Sequence, residues 1–347
     1  MLNPMDAFQL NYEKEYEYFC IKNCIKQILT FYGVHTPIFY INCSLGWQIS
    51  YSNNYKHGYL FQTGTLFTNL IASHEQQIKD YSLKDYDLQS AWKKNQIKVN
   101  QDQPIIVLVD MFHLPYTPYY KTKHSVHSII LCGYIENTNE FDVIDWYAPW
   151  FFKGGVSKTV IEEARLSNIE DNGILGNTCI DFTWYEINKG NWQNNNIVCN
   201  QNFKSNLDKF FNSSNEGMIT KGASVLYELC DILEKNINSD DNKSVIEDFL
   251  KNFHSQLFFI PYNKNLFKCY LQHLMQHDHN IAKNIELDKI DNNINEWRTF
   301  ISFIIKCMVS LKSEYLVKLL RDFAFLIERE FEFYYYLKQI DESLGCC

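Results

Sequence analysis

The stretch CIKNCIKQILTFYG, residues 20–33, is where the reading starts. Ile21, Cys24, Ile25, Ile28, Leu29 and Tyr32 recur at steps of three and four, the spacing of one apolar helix face, and Gly33 ends the pattern. This predicts one buried amphipathic helix with Cys20 in its first turn. That address matters chemically, because the unpaired N–H groups and the dipole of a helix N-terminus favour an anion and lower a thiol's pKa. Downstream, PIIVLVD (104–110), HSIILCGY (127–134) and EFDVIDW (140–146) are β-branched runs long enough for strands and too short for helices. The turn-like ENTN (136–139) separates the last two, so an antiparallel sheet is expected beside the helix. A loop, MFHLPYTPYYKTK (111–123), broken by Pro115 and Pro118, joins the first two strands.

Between this helix and the strands lies a polar, aromatic stretch (37–64), followed by weaker helical patterns at 65–73 and 88–94. From about Phe203 the strand-like runs vanish and helical periodicity takes over, at 217–235, 243–253, 265–283, 292–311 and 312–338. The last of these aligns Leu316, Leu319, Leu320, Phe323, Ile327 and Phe331 on one stripe. NKGNWQNNN (188–196) is the candidate linker. The expected class is α+β, with a first domain over 1–190 built from a helix packed on an antiparallel sheet and an all-helical second domain over 197–347.

Composition narrows the function. With 347 residues, 46% of them apolar, the chain can bury a large core and is not globally disordered. The net charge is −9 and Arg occurs only at 165, 298, 321 and 329, so no basic face for nucleic acid is expected. The apolar run from Phe300 to Leu311 is interrupted by Lys306 and is too short to span a bilayer. Eleven cysteines lie scattered without a CxxC pair, and the first residues show no secretory or transit pattern, which points to a reducing cytoplasm. No dinucleotide or P-loop motif is present. His273, His277 and His279 lack a following HExxH pattern and read as a solvated helix end, and the aromatic cluster at 331–336 reads as core or interface, so no metal is expected. The terminal Cys346–Cys347 pair fits no CaaX signal and reads as a frayed tail.

A cysteine nucleophile needs a base and a group that orients the base. His127 opens one strand and Asp145 ends the next, so hairpin pairing can bring the carboxylate beside the imidazole. The order Cys20, His127, Asp145 matches a papain-like arrangement. Two alternatives stay open on the residues alone. Cys20 could be a small core hydrophobe, as free cysteines often are, and Cys24, one turn later, is the rival nucleophile. Asp110, which also ends a strand, is the second choice of carboxylate, or a turn cap. His124 reads first as an ordinary loop residue.

The helix pattern Cys-x12-Gly, the His127–Gly133 strand and the V-I-D strand end resemble papain-like cysteine enzymes of the bacteriocin-processing type. A closer resemblance is to the butirosin biosynthesis protein H family, carried by PIIVLVDMFHLPYTPYY (104–120), the doublet His124-x-x-His127 and GVSKTVIEEAR (155–165). It extends more loosely into the helical remainder, including KNLFKCYLQHL (264–274). That family is bacterial and joins a papain-like domain to a helical one. The resemblance implies a cysteine-dependent acyltransferase that moves an acyl or aminoacyl group from a carrier-protein or CoA-like thioester onto an amine, in antibiotic or peptide biosynthesis. Cys20 would be the acyl acceptor, His127 the base and acid, and Asp145 its orienter; Asp110, Tyr116, Tyr119 and His124 are the candidate substrate-binding residues. No cofactor is implied beyond the donor's phosphopantetheine arm. The implied partners are an acyl or peptidyl carrier protein and a small amine, with neither nucleic acid nor membrane; a homodimer is compatible with this. Against the family pattern, Phe19 stands where a His often precedes the cysteine, SLGW (44–47) only weakly keeps a glycine-rich stretch, and 12–19 lacks the Gln that papain-like enzymes use for the oxyanion. A peptidase or amidase on the same scaffold, and an inactive binding protein, are the competing expectations.

Overall fold

The structure is a computed structural model that describes residues 8, 16, 18–41, 43, 45–63, 78–147, 150–169, 180–190, 192, 203–204, 207–238, 242–277 and 283–344. The chain divides into two compact units, one of Met1–Ile41 and Leu66–Asn195, the other of Asn42–Thr65 and Asn196–Cys347.

In the first unit α1 (Cys20–Phe31) forms where the periodicity placed it and buries Ile21, Cys24, Ile25, Ile28 and Leu29. Each such aliphatic side chain contributes on the order of 1.5–3 kcal/mol by leaving water. Gly33, just past the helix, has φ +85°, a left-handed conformation that ends helices and that only glycine adopts without strain. The helix packs against β4 (Ile105–Asp110), β5 (Val126–Ile135) and β6 (Glu140–Tyr147). These are the three expected strands. They are the middle of a six-stranded antiparallel sheet that also holds β3 (Ile78–Tyr81), β7 (Trp150–Ser157) and β8 (Trp184–Ile187), in the order β3-β8-β4-β5-β6-β7. Alternate residues of the central strands, Ile105, Val107 and Val109 with Ile129 and Leu131, join Ala91 and Trp92 of α2 (Leu88–Val99) and Ile161 and Ala164 of α3 (Lys158–Leu166) in one core. Asp87 and Ser157 cap α2 and α3 by accepting from Ser90 N–H and Val160 N–H.

In the second unit, β1 (Trp47–Tyr51) and β2 (Tyr59–Thr63) form a hairpin whose inner strand pairs with β10 (Ile219–Lys221), itself paired with β9 (Ser214–Glu216). Five helices follow: α4 (Ser224–Asn238), α5 (Lys243–Leu257), α6 (Ile260–His277), α7 (Leu287–Ser310) and α8 (Ser313–Leu344). From Ser224 on, every described element is helical, as expected. The outer edge of β2 is not left bare: Phe61 N–H donates to Gln256 of α5 (2.8 Å) and Thr63 C=O accepts from Asn263 of α6 (2.9 Å). Trp47 Nε1 donates to the Tyr334 hydroxyl (2.9 Å), which donates in turn to Leu45 C=O (2.7 Å).

Three expectations change. Residues 42–65, read as part of the first domain, group with the second unit, because β1 finds its sequence-distant partner in β10 rather than in the larger sheet. The helix read from Gly217 begins at Ser224, the preceding residues forming the β9–β10 hairpin with Gly217 at φ +69° in its turn. The helix read as 265–283 spans Ile260–His277. The helical pattern at 65–73, most of the linker at 188–196, His279 and the Cys346–Cys347 pair lie outside the described residues. Among the described residues no helix is long and apolar enough to cross a membrane.

Candidate active site

Strand register assembles the site. In β4–β5, Val109 pairs with His127; in β5–β6, Ile130 pairs with Ile144. Continuing that second register one step sets Asp145 beside Ile129, two residues along β5 from His127 and so on the same face of the pleat. The side chains meet: His127 Nε2 lies 2.7 Å from Asp145 Oδ1, with both groups buried. The second carboxylate oxygen accepts from the Tyr116 hydroxyl (3.0 Å), whose ring stacks on Phe152 at 3.9 Å between centres. Asp145 therefore has both oxygens committed, and its orientation is set from two sides.

With Nε2 held by the carboxylate, Nδ1 is the ring nitrogen left for sulfur, and the imidazole does hydrogen-bond Cys20. Cys20 is the first helical residue of α1, after Phe19, which offers no side-chain cap. The first N–H groups of the helix thus have no partner within it. Burial alone pushes the Cys20 thiol up, but the charge and hydrogen bond of His127, and hydrogen bonds from Ser128, outweigh it and leave the thiol below its ordinary value. Burial likewise works against the His127 cation, yet Asp145 and Cys20 together raise its pKa to about 10. Each group thus favours the charged form of the other, thiolate beside imidazolium. Cys20 is half-buried as a residue, whereas His127 and Asp145 are buried.

Cys24 does not compete. Its thiol donates to the Ser128 carbonyl (3.4 Å), and burial, followed by the charges of Cys20 and Asp145, raises its pKa well above the ordinary value. Cys24 is thus held as a neutral thiol.

The remaining candidates separate into two groups. Tyr116 joins the Cys20 cluster through Asp145, as a support of the carboxylate. Asp110 and His124 form a pair of their own, 2.6 Å apart. Tyr119 lies in the same loop, with Lys123 Nζ 5.8 Å from its ring centre. Two neighbours escaped the sequence reading. Ser128 was legible only as the residue after His127, and its role follows from the strand turning it toward α1. Tyr185, whose phenol is pushed up by burial and then by the charges of Asp80 and Cys20, sits on WYEI (184–187), a run too short to stand out as a strand. Among the described residues no group of three His, Cys, Asp or Glu side chains is placed to hold a metal.

Residues 20–146 match the family model described as Butirosin biosynthesis protein H, N-terminal. The matched stretch begins at Cys20 and includes His127 and Asp145, so over it the chain is similar to the N-terminal region of that family. A comparison with curated proteins finds no match.

Proposed function

We propose that the first unit is a papain-like cysteine acyltransferase of antibiotic or related specialised-metabolite biosynthesis, acting through an acyl-Cys20 intermediate. One observation carries the reading: a thiol in the first turn of a helix, lowered in pKa by an imidazole that a doubly held carboxylate orients. The Cys20 thiolate attacks the carbonyl carbon of a thioester, forming a new C–S bond. Collapse of the tetrahedral adduct expels the donor thiolate, which takes the proton of the His127 imidazolium. An amine then attacks the acyl-enzyme and gives a proton to His127, and Cys20 leaves as thiolate, restoring the starting pair. The N–H groups of the first turn of α1, that of Cys20 among them, are the donors this reading assigns to the oxyanion. A carrier-protein phosphopantetheine arm is the donor that fits this thioester chemistry, and an amine-bearing small molecule is the acceptor.

The test uses a simple donor. Incubation with an acyl-N-acetylcysteamine thioester should give an acyl adduct on Cys20 by intact and peptide mass spectrometry, absent in Cys20→Ala, and added amine should discharge it as an amide. Adducts confined to other cysteines would overturn the reading. Rapid discharge by water that no amine intercepts would instead favour a hydrolase on the same residues.

A further inference from the structure

Asp110 and Asp145 are the most deeply buried carboxylates of the larger sheet among the described residues. Asp145 serves His127. Asp110 is as fully enclosed and accepts four hydrogen bonds, from Phe112 N–H (3.1 Å), Ser125 N–H (3.0 Å), the Ser167 hydroxyl (2.7 Å) and His124 Nδ1 (2.6 Å). The first three fasten the two ends of the loop over 111–125 and the segment after α3. The fourth has a different chemical character. An imidazole that donates Nδ1–H to a carboxylate is fixed in the tautomer whose Nε2 carries a lone pair. The His124 ring is also held flat on Phe112, with centres 4.1 Å apart and planes at 14°. Its side chain is nevertheless 53% exposed, so the Nε2 edge is open to solvent. An immobilised ring, a buried carboxylate behind it and a free nitrogen in front make up the arrangement of a general base.

The loop that carries His124 also reaches the nucleophile's cluster, since Tyr116 from its middle donates to Asp145. In the β4–β5 ladder Val109 pairs with His127 and Asp110 with Val126. Antiparallel partners lie roughly 4.5–5.5 Å apart, so Asp110 and His127, one member of each histidine–carboxylate pair, stand at the same end of β4 and β5.

We propose that His124, oriented by Asp110, is a second acid–base residue of the acyl transfer, taking the surplus proton of an acceptor that arrives as an ammonium ion. The inference rests on the acyltransferase reading. In going from R–NH3+ to an amide, the nitrogen loses two protons. His127, left neutral once the donor thiol has departed, can accept one, and that one restores the imidazolium beside the Cys20 thiolate. The other needs a separate base. His124 Nε2 takes it before the C–N bond forms and, being exposed, passes it to water, so the overall reaction of ammonium and thioester yields amide, thiol and one released proton. The titratable groups around His124 are Asp110 on β4, Lys123 beside it in the chain, and His113, whose ring centre is 6.5 Å away and which faces Glu163 of α3 at 3.6 Å.

The experiment separates the half-reactions. Wild type and His124→Asn, which keeps a donor for Asp110 but has no second ring nitrogen, are first acylated on Cys20 with an acyl-N-acetylcysteamine thioester. Single-turnover discharge is then followed with n-butylamine, an ammonium at neutral pH, and with methoxyamine, which is already neutral there. The variant should discharge to butylamine about 10²-fold more slowly, the usual span of a lost general base, and to methoxyamine within about threefold of wild type. Its deficit should shrink as the pH rises and butylamine deprotonates by itself. Equal losses with both amines, or a deficit indifferent to pH, would overturn the proposal and leave His124 as a loop anchor. Should His124→Asn fail to fold, His124→Gln offers the same comparison with a longer amide. A wild-type protein that forms no acyl-Cys20 would remove the parent reading and this one together, whereas normal acylation with no selective loss removes this one alone.

Discussion

Each unit buries a close cation–carboxylate pair, and the two pairs are built for opposite ends. In the first, His127 and Asp145 lie 2.7 Å apart beside a half-buried cysteine. In the second, Lys264 of α6 and Glu330 of α8 lie 2.6 Å apart, 2% and 0% exposed. The other Glu330 oxygen accepts from Trp297 Nε1 (2.7 Å) and Asn293 Nδ2 (3.2 Å), and the lysine ammonium sits 4.1 Å from the Phe333 ring centre. Every bonding direction of Glu330 points to its own helices, and no reactive atom is presented. At His127 one ring nitrogen is held by Asp145, and the imidazole also hydrogen-bonds a half-buried cysteine. Burial, distance and charge are nearly matched, so what separates the two pairs is the thiol beside the first.

The contrast can be broken at three points. The largest effect is expected from Asp145→Asn, which keeps the shape but withdraws the charge that supports the His127 cation. Acyl transfer should fall by roughly 10²–10⁴-fold while the melting temperature moves little, as read by steady-state rates and calorimetry. Glu330→Ala should do the reverse. It strands a buried ammonium and should cost about 3–5 kcal/mol in a denaturant titration, with iodoacetamide labelling of Cys20 unaltered. A double substitution to apolar residues, Lys264→Met with Glu330→Leu, should be milder than either single change, because it leaves no unpaired charge.

The smallest effect, and the sharpest, is in pH. Cys20 is lowered, so the thiolate persists below the ordinary thiol value, and the acid limb of the rate profile should lie on the acidic side of a free cysteine. His127 is raised to about 10, so the proton needed by the leaving thiolate is present through neutral pH and is lost as the pH climbs through that value. Transfer should therefore decline near pH 10, while alkylation of Cys20, which needs only thiolate, should not. A transfer profile that falls near the ordinary imidazole pKa would break the ion-pair picture.

Much of this site was legible beforehand because it uses patterns that a linear chain displays. The i, i+3, i+4 spacing of α1 fixes which residue begins the helix, and period-two, β-branched runs mark β4, β5 and β6. The pairing of His127 with Asp145 needed only a hairpin between the last two. What stayed hidden depends on distant chain segments. Trp47–Tyr51 does not announce that its partner is Ile219–Lys221, three residues with too little length for any period to show. WFFKGGVS, the strand β7, carries two adjacent glycines that weaken a strand pattern, yet Gly155 lies directly across from Asp142 in the ladder. Lys264 and Glu330 look like surface charges in sequence, and only the arrangement of α6, α7 and α8 buries them. Asp110 was weighed as a turn cap, which its bond from Phe112 N–H supports, but its hold on His124 depends on a loop whose path no local rule gives.

The excursion of residues 42–65 into the second unit carries a consequence for how the polypeptide is made. The β1–β2 hairpin leaves the ribosome early, while Gln256 and Asn263, which close its outer edge, follow 195 and 200 residues later. Until then a strand with unsatisfied main-chain groups waits in the nascent chain, the kind of surface that invites intermolecular pairing. Shortened versions that stop at the end of the large sheet would keep that exposed edge permanently, and soluble expression should improve when the hairpin is excised along with the helices.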